Sequence, residues 1–226
     1  RNKPGLIGII GGEPLLYPQF VEMCRLIQRL VPKERMHFFT SGGRYWKERS
    51  ALIGQTFGHL AYNEHNETQR RVCLHQPITV AVGEVIEDPV LLRETIDNCW
   101  VQPRWCPSIT PKGAFFCEGA EALDVILDGP GGYPLTDDWW ERTPDRYRDQ
   151  VDRWCHLCGM CFPQRRQAIG DRKERFTPKL LALFRQHNLP GVTDEEVTVV
   201  DYRLDRNQLE ALRKDWKPWE YRQDLQ

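Results

Sequence analysis

The sequence predicts an α/β protein with a small cysteine-rich addition. Three observations lead there. Strand-like apolar runs alternate with helix-like stretches and exit through glycines, cysteines crowd the middle of the chain, and a cysteine-free helix–strand–helix pattern closes it. Hydrophobic residues make up 40% and charged residues 28% of the 226 residues, as in a folded globular protein. A net charge of -1 gives no reason to expect a nucleic-acid partner. No apolar run approaches the roughly 20 residues of a membrane span, and no secretory signal is visible. The expected location is cytoplasmic. The chain opens on Arg1 and enters a strand almost at once, which reads as a chain lacking its natural N-terminus.

Leu6 to Ile10 has the continuous apolar character of a strand buried on both faces, the mark of a parallel sheet. It ends on Gly11-Gly12-Glu13-Pro14, a plain turn or a ligand site at a strand end. Pro18 to Val31 is an amphipathic helix with Phe20, Met23, Cys24, Ile27 and Val31 on one stripe, stopped by Pro32. Met36 to Thr40 is a second strand, leaving through Ser41-Gly42-Gly43. Phe57 to Tyr62 is a third and Ile78 to Val85 a fourth. Strand, helix, strand with glycine-rich exits describes βα units of a barrel or an open sheet. Tyr62-Asn63-Glu64-His65-Asn66 follows a strand end, either as a ligand-facing string or as a solvated loop.

The composition changes near Asn98. Residues 99–163 carry seven prolines, several glycines and the Trp139-Trp140 pair, and such a segment is expected to build little regular core of its own. Ile109 to Cys117 is a short hairpin turning at Pro111-Lys112-Gly113, and Asp145 to Trp154 a helix. Beyond Pro163, Thr177 and Pro178 open a helix with Leu180, Leu181 and Phe184 on its apolar side. Val197 to Tyr202 is a strand, and Asp205 with Gln208 forms a capping box for a last helix reaching Trp216. The organisation is therefore 1–97, 98–163 and 164–226.

Six of the eight cysteines fall between 99 and 161. Without a secretory signal, such clustering favours metal binding over disulfides. Cys155-His-Leu-Cys158-Gly-Met-Cys161 is C-x2-C-x2-C, a turn on which closely spaced thiolates grip one metal centre. Cys99, Cys106 and Cys117 lie upstream. A [4Fe–4S] cluster and a structural zinc both suit four thiolates, and a redox dithiol is a third reading. His156 reads as a bystander, Cys24 as a core residue, and Cys73 beside His75 as structural or unassigned. Trp100, Trp105, Trp139 and Trp140 either shield a cluster or belong to the core.

Together, Gly11-Gly12-Glu13-Pro14 at a strand end and this cysteine pattern resemble the radical S-adenosylmethionine (radical SAM) enzymes. The resemblance covers roughly residues 4–163. It implies a partial (β/α)6 barrel, incomplete at its N-terminus, then a small cluster-binding extension and a C-terminal α/β tail. Gly11, Gly12, Glu13 and Pro14 match the family's "GGEP" segment, which binds the amino group of the methionine moiety. Thr40-Ser41-Gly42 is similar to its "TNG", with Ser41 replacing Asn. Cys99, the Ile-Thr-Pro-Lys-Gly phrase and Cys117 resemble the first half of a SPASM or "twitch" extension, and Cys155 and Cys158 its closing pair. Those four cysteines are the best set, with Cys106 or Cys161 as replacements.

The family's C-x3-C-x2-C motif is absent and would lie upstream of residue 1. The intact enzyme implied has a second [4Fe–4S] cluster there and cleaves S-adenosyl-L-methionine to a 5′-deoxyadenosyl radical. Its substrate is a peptide, protein, sugar or small molecule, and its electron donor a ferredoxin or flavodoxin. The alternative is a non-catalytic zinc- or cluster-binding module.

Overall fold

A computed structural model describes residues 5–62, 74–102, 107–136, 139, 144–164, 167–168, 173–189 and 192–218. The chain divides into two compact units, Arg1–Arg70 and Arg71–Gln226. Among the described residues no helix is long and apolar enough to cross a membrane.

The first unit is a strand–helix–strand–helix–strand run: β1 (Ile7–Ile9), α1 (Phe20–Leu30), β2 (Met36–Thr40), α2 (Trp46–Thr56) and β3 (His59–Tyr62). The strands form one parallel sheet in the order β1-β2-β3, with Ile7 opposite Met36 and Phe38 opposite Leu60. The period-two pattern of β2 decides the packing. Met36, Phe38 and Thr40 are buried, and Phe20, Cys24, Ile53 and Phe57 close over the first two. The predicted stripe of α1 is the stripe that packs. Phe20 meets Phe38 edge-on at 5.7 Å.

The expectation that the first strand is buried on both faces fails. Leu6, Ile7 and Ile10 are 55, 40 and 63% exposed. The reason is position, since β1 is the sheet's edge and the helices cover one face only. On the other face His37 stacks on Phe39 at 4.2 Å, and the Phe39 ring lies over Gly8.

The second unit comprises β4 (Leu74–His75), α3 (Val82–Val85), α4 (Pro89–Asp97), β5 (Ser108–Thr110), β6 (Gly113–Phe115), α5 (Glu118–Ile126), α6 (Arg148–Trp154), β7 (Gln167–Ala168), β8 (Glu174–Phe176), α7 (Pro178–Gln186), β9 (Val197–Val199) and α8 (Arg206–Arg213). Among the described residues its strands pair in twos, β4 with β7, β5 with β6, and β8 with β9, with a further bridge from Ala114 to Tyr133. The predicted hairpin is β5–β6, and the predicted capping box is formed by Asp205 and Gln208.

Two expectations fail here. Ile78 to Val85 is a turn followed by α3, because Ala81, the N-cap of α3, donates its amide across to Thr177 Oγ1 instead of to a neighbouring strand. Thr177 therefore does not cap α7 with its side chain. The Glu84 carboxylate does so from α3, accepting from the amides of Lys179 and Leu180. The second failure concerns the turn-rich segment. Phe116, Ala120, Leu123, Tyr147, Val151, Trp154 and Phe162 share one core with Val80, Ile86, Leu91, Leu180 and Leu209. Short helices from both sides of the segment supply the apolar surface that it lacks in regular structure.

Candidate functional site

Five of the six cysteines between 99 and 161 line one cavity: Cys99, Cys117, Cys155, Cys158 and Cys161. Its empty space is about 420 Å³ including the mouth, and Ile96, Phe116, Leu123 and Trp154 complete the wall. Cys106 and Cys73 lie outside the described residues, as do Asn63 to Asn66, Trp105 and Trp140.

Local chemistry puts each thiol there. Cys99 follows α4. Cys117 is the N-cap of α5, and its Sγ accepts from the Gly119 amide at 3.3 Å. Cys155 to Leu157 form a single 3₁₀ turn continuing α6, and Cys158 Sγ accepts from the Met160 amide at 3.4 Å. Gly159 then fits only as glycine, because a Cβ there would stand 2.5 Å from the Pro77 carbonyl oxygen. Its own carbonyl accepts from Gln76 and Gln164, both at 2.6 Å, and its amide donates to Ile78.

Two polar residues that sequence reading passed over hold the frame around the cavity. Gln150, on α6 and fully buried, accepts from the Phe116 amide and donates to the Ala114 carbonyl, both at 3.1 Å. It stitches the hairpin to the helix that leads into Cys155. Asp124, on α5 and also fully buried, pairs with Lys112 of the hairpin turn at 2.6 Å and accepts from Gly131. A glutamine and an aspartate carry no such signal in one dimension, and the residue spacings point to thiols alone.

The electrostatics of the cavity are those of crowded thiols. Burial, then repulsion from neighbouring sulfurs, pushes Cys117 up to about 12 and raises Cys155, Cys158 and Cys161 well above the ordinary thiol value, and burial raises Cys99. The reading as a reactive dithiol is disfavoured, since the thiolate is the nucleophile. Backbone amides work the other way: Val101 and Gln102 donate to Cys99, and Gly119 and Ala120 to Cys117. A metal would supply the missing positive charge and deprotonate the thiols outright.

Among the described residues no three His, Cys, Asp or Glu side chains converge on a single ion. A tetrahedral zinc needs its sulfurs roughly 3.8 Å apart, given Zn–S near 2.3 Å. A polynuclear cluster spreads its thiolates, each on its own metal atom. Among the described residues the buried Trp154 indole N–H has no hydrogen-bond partner.

In the first unit, Glu13 ends the exit from β1 and caps the 3₁₀ turn Pro14–Leu16. Its Oε1 accepts from the Leu15 amide (3.0 Å) and Thr40 Oγ1 (2.7 Å), its Oε2 from the Ser41 amide (2.8 Å) and Ser41 Oγ (2.5 Å). Burial raises its pKa, but the Ser41, Thr40 and Leu15 bonds outweigh that and hold it below the usual value. The "GGEP" and "TSG" segments therefore meet at adjacent strand ends, with all four acceptor directions of the carboxylate filled from within the chain. Gly11 (φ 139°) and Gly42 (φ 72°) take conformations that favour glycine. A Cβ on Gly42 would collide with Tyr62, whereas one on Gly11 or Gly12 would meet nothing within 4 Å.

No protein-family profile, no curated protein and no solved structure matches this chain.

Proposed function

We propose that the chain is part of a radical SAM enzyme and holds an auxiliary [4Fe–4S] cluster in the cavity of the second unit. The observation that carries this reading is the convergence of Cys99, Cys117, Cys155, Cys158 and Cys161 on one cavity, from elements far apart in sequence. Four thiolates suffice for a cluster as they do for a zinc, and the cluster is preferred here on the resemblance of the cysteine pattern. In the complete enzyme, an upstream cluster would supply the electron that cleaves S-adenosylmethionine. The parallel β1-β2-β3 sheet belongs, in this reading, to a partial (β/α)6 barrel with the cofactor at its strand ends.

This chain's own residues would act there in definite ways. Glu13, held by Thr40 and Ser41, keeps a fixed negative charge at the end of β1. Its hydrogen-bond directions are filled, so an ammonium group would feel it mainly through space, or replace the Ser41 hydroxyl as donor. Gly11 and Gly12 leave their backbone open to a close ligand. In the second unit, the apolar wall would exclude water from the cluster, and the amides at Cys99, Cys117 and Cys158 would stabilise thiolate charge.

Anaerobic reconstitution with iron and sulfide, followed by metal and acid-labile sulfide analysis, tests the reading. About four irons and four sulfides per chain support it. Stoichiometric zinc with no sulfide would leave the non-catalytic zinc module in its place.

A further inference from the structure

Cys158, Met160 and Cys161 make one wall of the thiol cavity. The loop that carries them is held by two side chains that do not line the cavity. Gln76, just beyond β4, donates through Nε2 to the carbonyls of Gly159 (2.6 Å) and Phe162 (2.8 Å). Its Oε1 accepts from the Trp216 indole N–H at 3.2 Å, 140 residues further along the chain. Other ties on the loop come from nearby backbone, with the Val82 amide on the Cys158 carbonyl and the Gly159 amide on Ile78. Gln76 is therefore the point at which the segment after α8 reaches the loop.

The direction of the link follows from amide chemistry. A glutamine side chain donates from one end and accepts at the other. Turned over, Gln76 would set its oxygen against two carbonyl oxygens. The Trp216 N–H engages the oxygen end and holds the amide in the orientation that grips the loop. Trp216 is only half-buried, so the outer end of the link lies near solvent.

We propose that the segment after α8 is a latch on the thiol cavity: Trp216, acting through Gln76, keeps the Cys158–Phe162 loop closed, and its release opens the thiols to incoming reagents or metal ions. Both are positioning residues. The latch holds whether the cavity takes an iron–sulfur cluster, zinc or neither, because none of its contacts involves a sulfur.

The test is site-resolved alkylation of the full chain by N-ethylmaleimide, anaerobic and metal-free in the presence of a chelator, with rates read by peptide mass spectrometry. Wild type, Trp216→Phe, Gln76→Leu and the double variant are compared. Trp216→Phe keeps a ring in place and removes the donor. Cys158 and Cys161 should react about fivefold faster in Trp216→Phe, the effect of one lost hydrogen bond on a local opening. Gln76→Leu should be faster again. The double variant should match Gln76→Leu, because Trp216 acts only through Gln76. Cys24, in the first unit, should keep its wild-type rate throughout, which separates a released loop from general loosening. An unchanged rate in Trp216→Phe, a double variant whose effect is the product of the two singles, or an equal rise at Cys24 overturns the latch. Should circular dichroism show that Gln76→Leu fails to fold, Trp216→Phe with Cys24 as its control decides alone. The cluster reading stands or falls separately, on iron and sulfide analysis.

Discussion

The sulfurs of Cys117 and Cys158 flank Gly119: a Cβ added there would stand 3.7 Å from one and 3.8 Å from the other. A methyl group therefore fits beside bare thiols but occupies the space between them. Gly119 also lies in the first turn of α5, where alanine is the better helix former by about 1 kcal/mol at an interior position. Gly119→Ala should leave the metal-free chain as stable as wild type or slightly more so. It should also lower iron and sulfide uptake at least threefold. Thermal melting and metal analysis separate the two effects, and undiminished uptake would mean that the cluster does not occupy this part of the cavity.

Gln150 is the link between the hairpin and α6. Gln150→Leu strands the Phe116 amide and the Ala114 carbonyl in the core, at about 1–3 kcal/mol for each unsatisfied group. The variant should melt well below wild type and bind metal less, because Cys117 follows Phe116 directly. Unchanged denaturant unfolding would show that water replaces the lost partners.

Lys112 is the cation for Asp124, whose side chain is wholly out of solvent. Lys112→Ala leaves that carboxylate buried and unpaired. A loss of about 2–3 kcal/mol is expected, at the lower end for a broken buried pair because Lys112 itself is about a third exposed. Urea unfolding measures it. A loss within error of zero would mean that the carboxylate reaches water once the lysine is gone.

Glu13 gives the first unit a pH dependence of known sign. Its carboxyl sits below the usual 4.5 in the folded chain, so its clamp contributes fully above that value. The contribution is lost as pH falls from about 4.5 through the folded pKa. Glu13→Gln should flatten this part of the stability profile, as followed by the fluorescence of Trp46. In a chain that carries the upstream cluster motif, Glu13→Ala should weaken S-adenosylmethionine binding more than tenfold, about 2–5 kcal/mol for a truncated charge pair. Titration calorimetry reads it, and equal affinity would reduce the segment to a turn.

Ligand cysteines and packing cysteines should part cleanly. Cys155→Ala should abolish metal binding. Because residues 99–163 share the main core of their unit, the metal-free chain should stay folded rather than unravel. Cys24, buried between α1 and β2 with its thiol bonded to Thr56, should on replacement by alanine cost about 1 kcal/mol and leave metal content unchanged. Equal metal loss in both variants would mean that the ligands are wrongly assigned.

By itself the sequence determined what local rules control. The extent of β2, the stripe of α1, the hairpin at Lys112 and the capping box at Asp205 each depend on side-chain period or turn chemistry within a few residues. The meeting of Glu13 with Thr40 and Ser41 was foreshadowed by two motifs at successive strand ends, since parallel neighbours bring those ends together. Tertiary structure alone decided the rest. Leu6 to Ile10 is apolar enough for a buried strand, but its exposure depends on which strands and helices stand beside it. Ile78 to Val85 bends into a short helix because Thr177 and Glu84 bind across to each other's segments. Spacing could propose four ligands among six cysteines. It could not show that Cys161 joins the same cavity, nor that Gln150 ties the hairpin to the helix entering Cys155. Those residues lie far apart along the chain, and only packing brings them together.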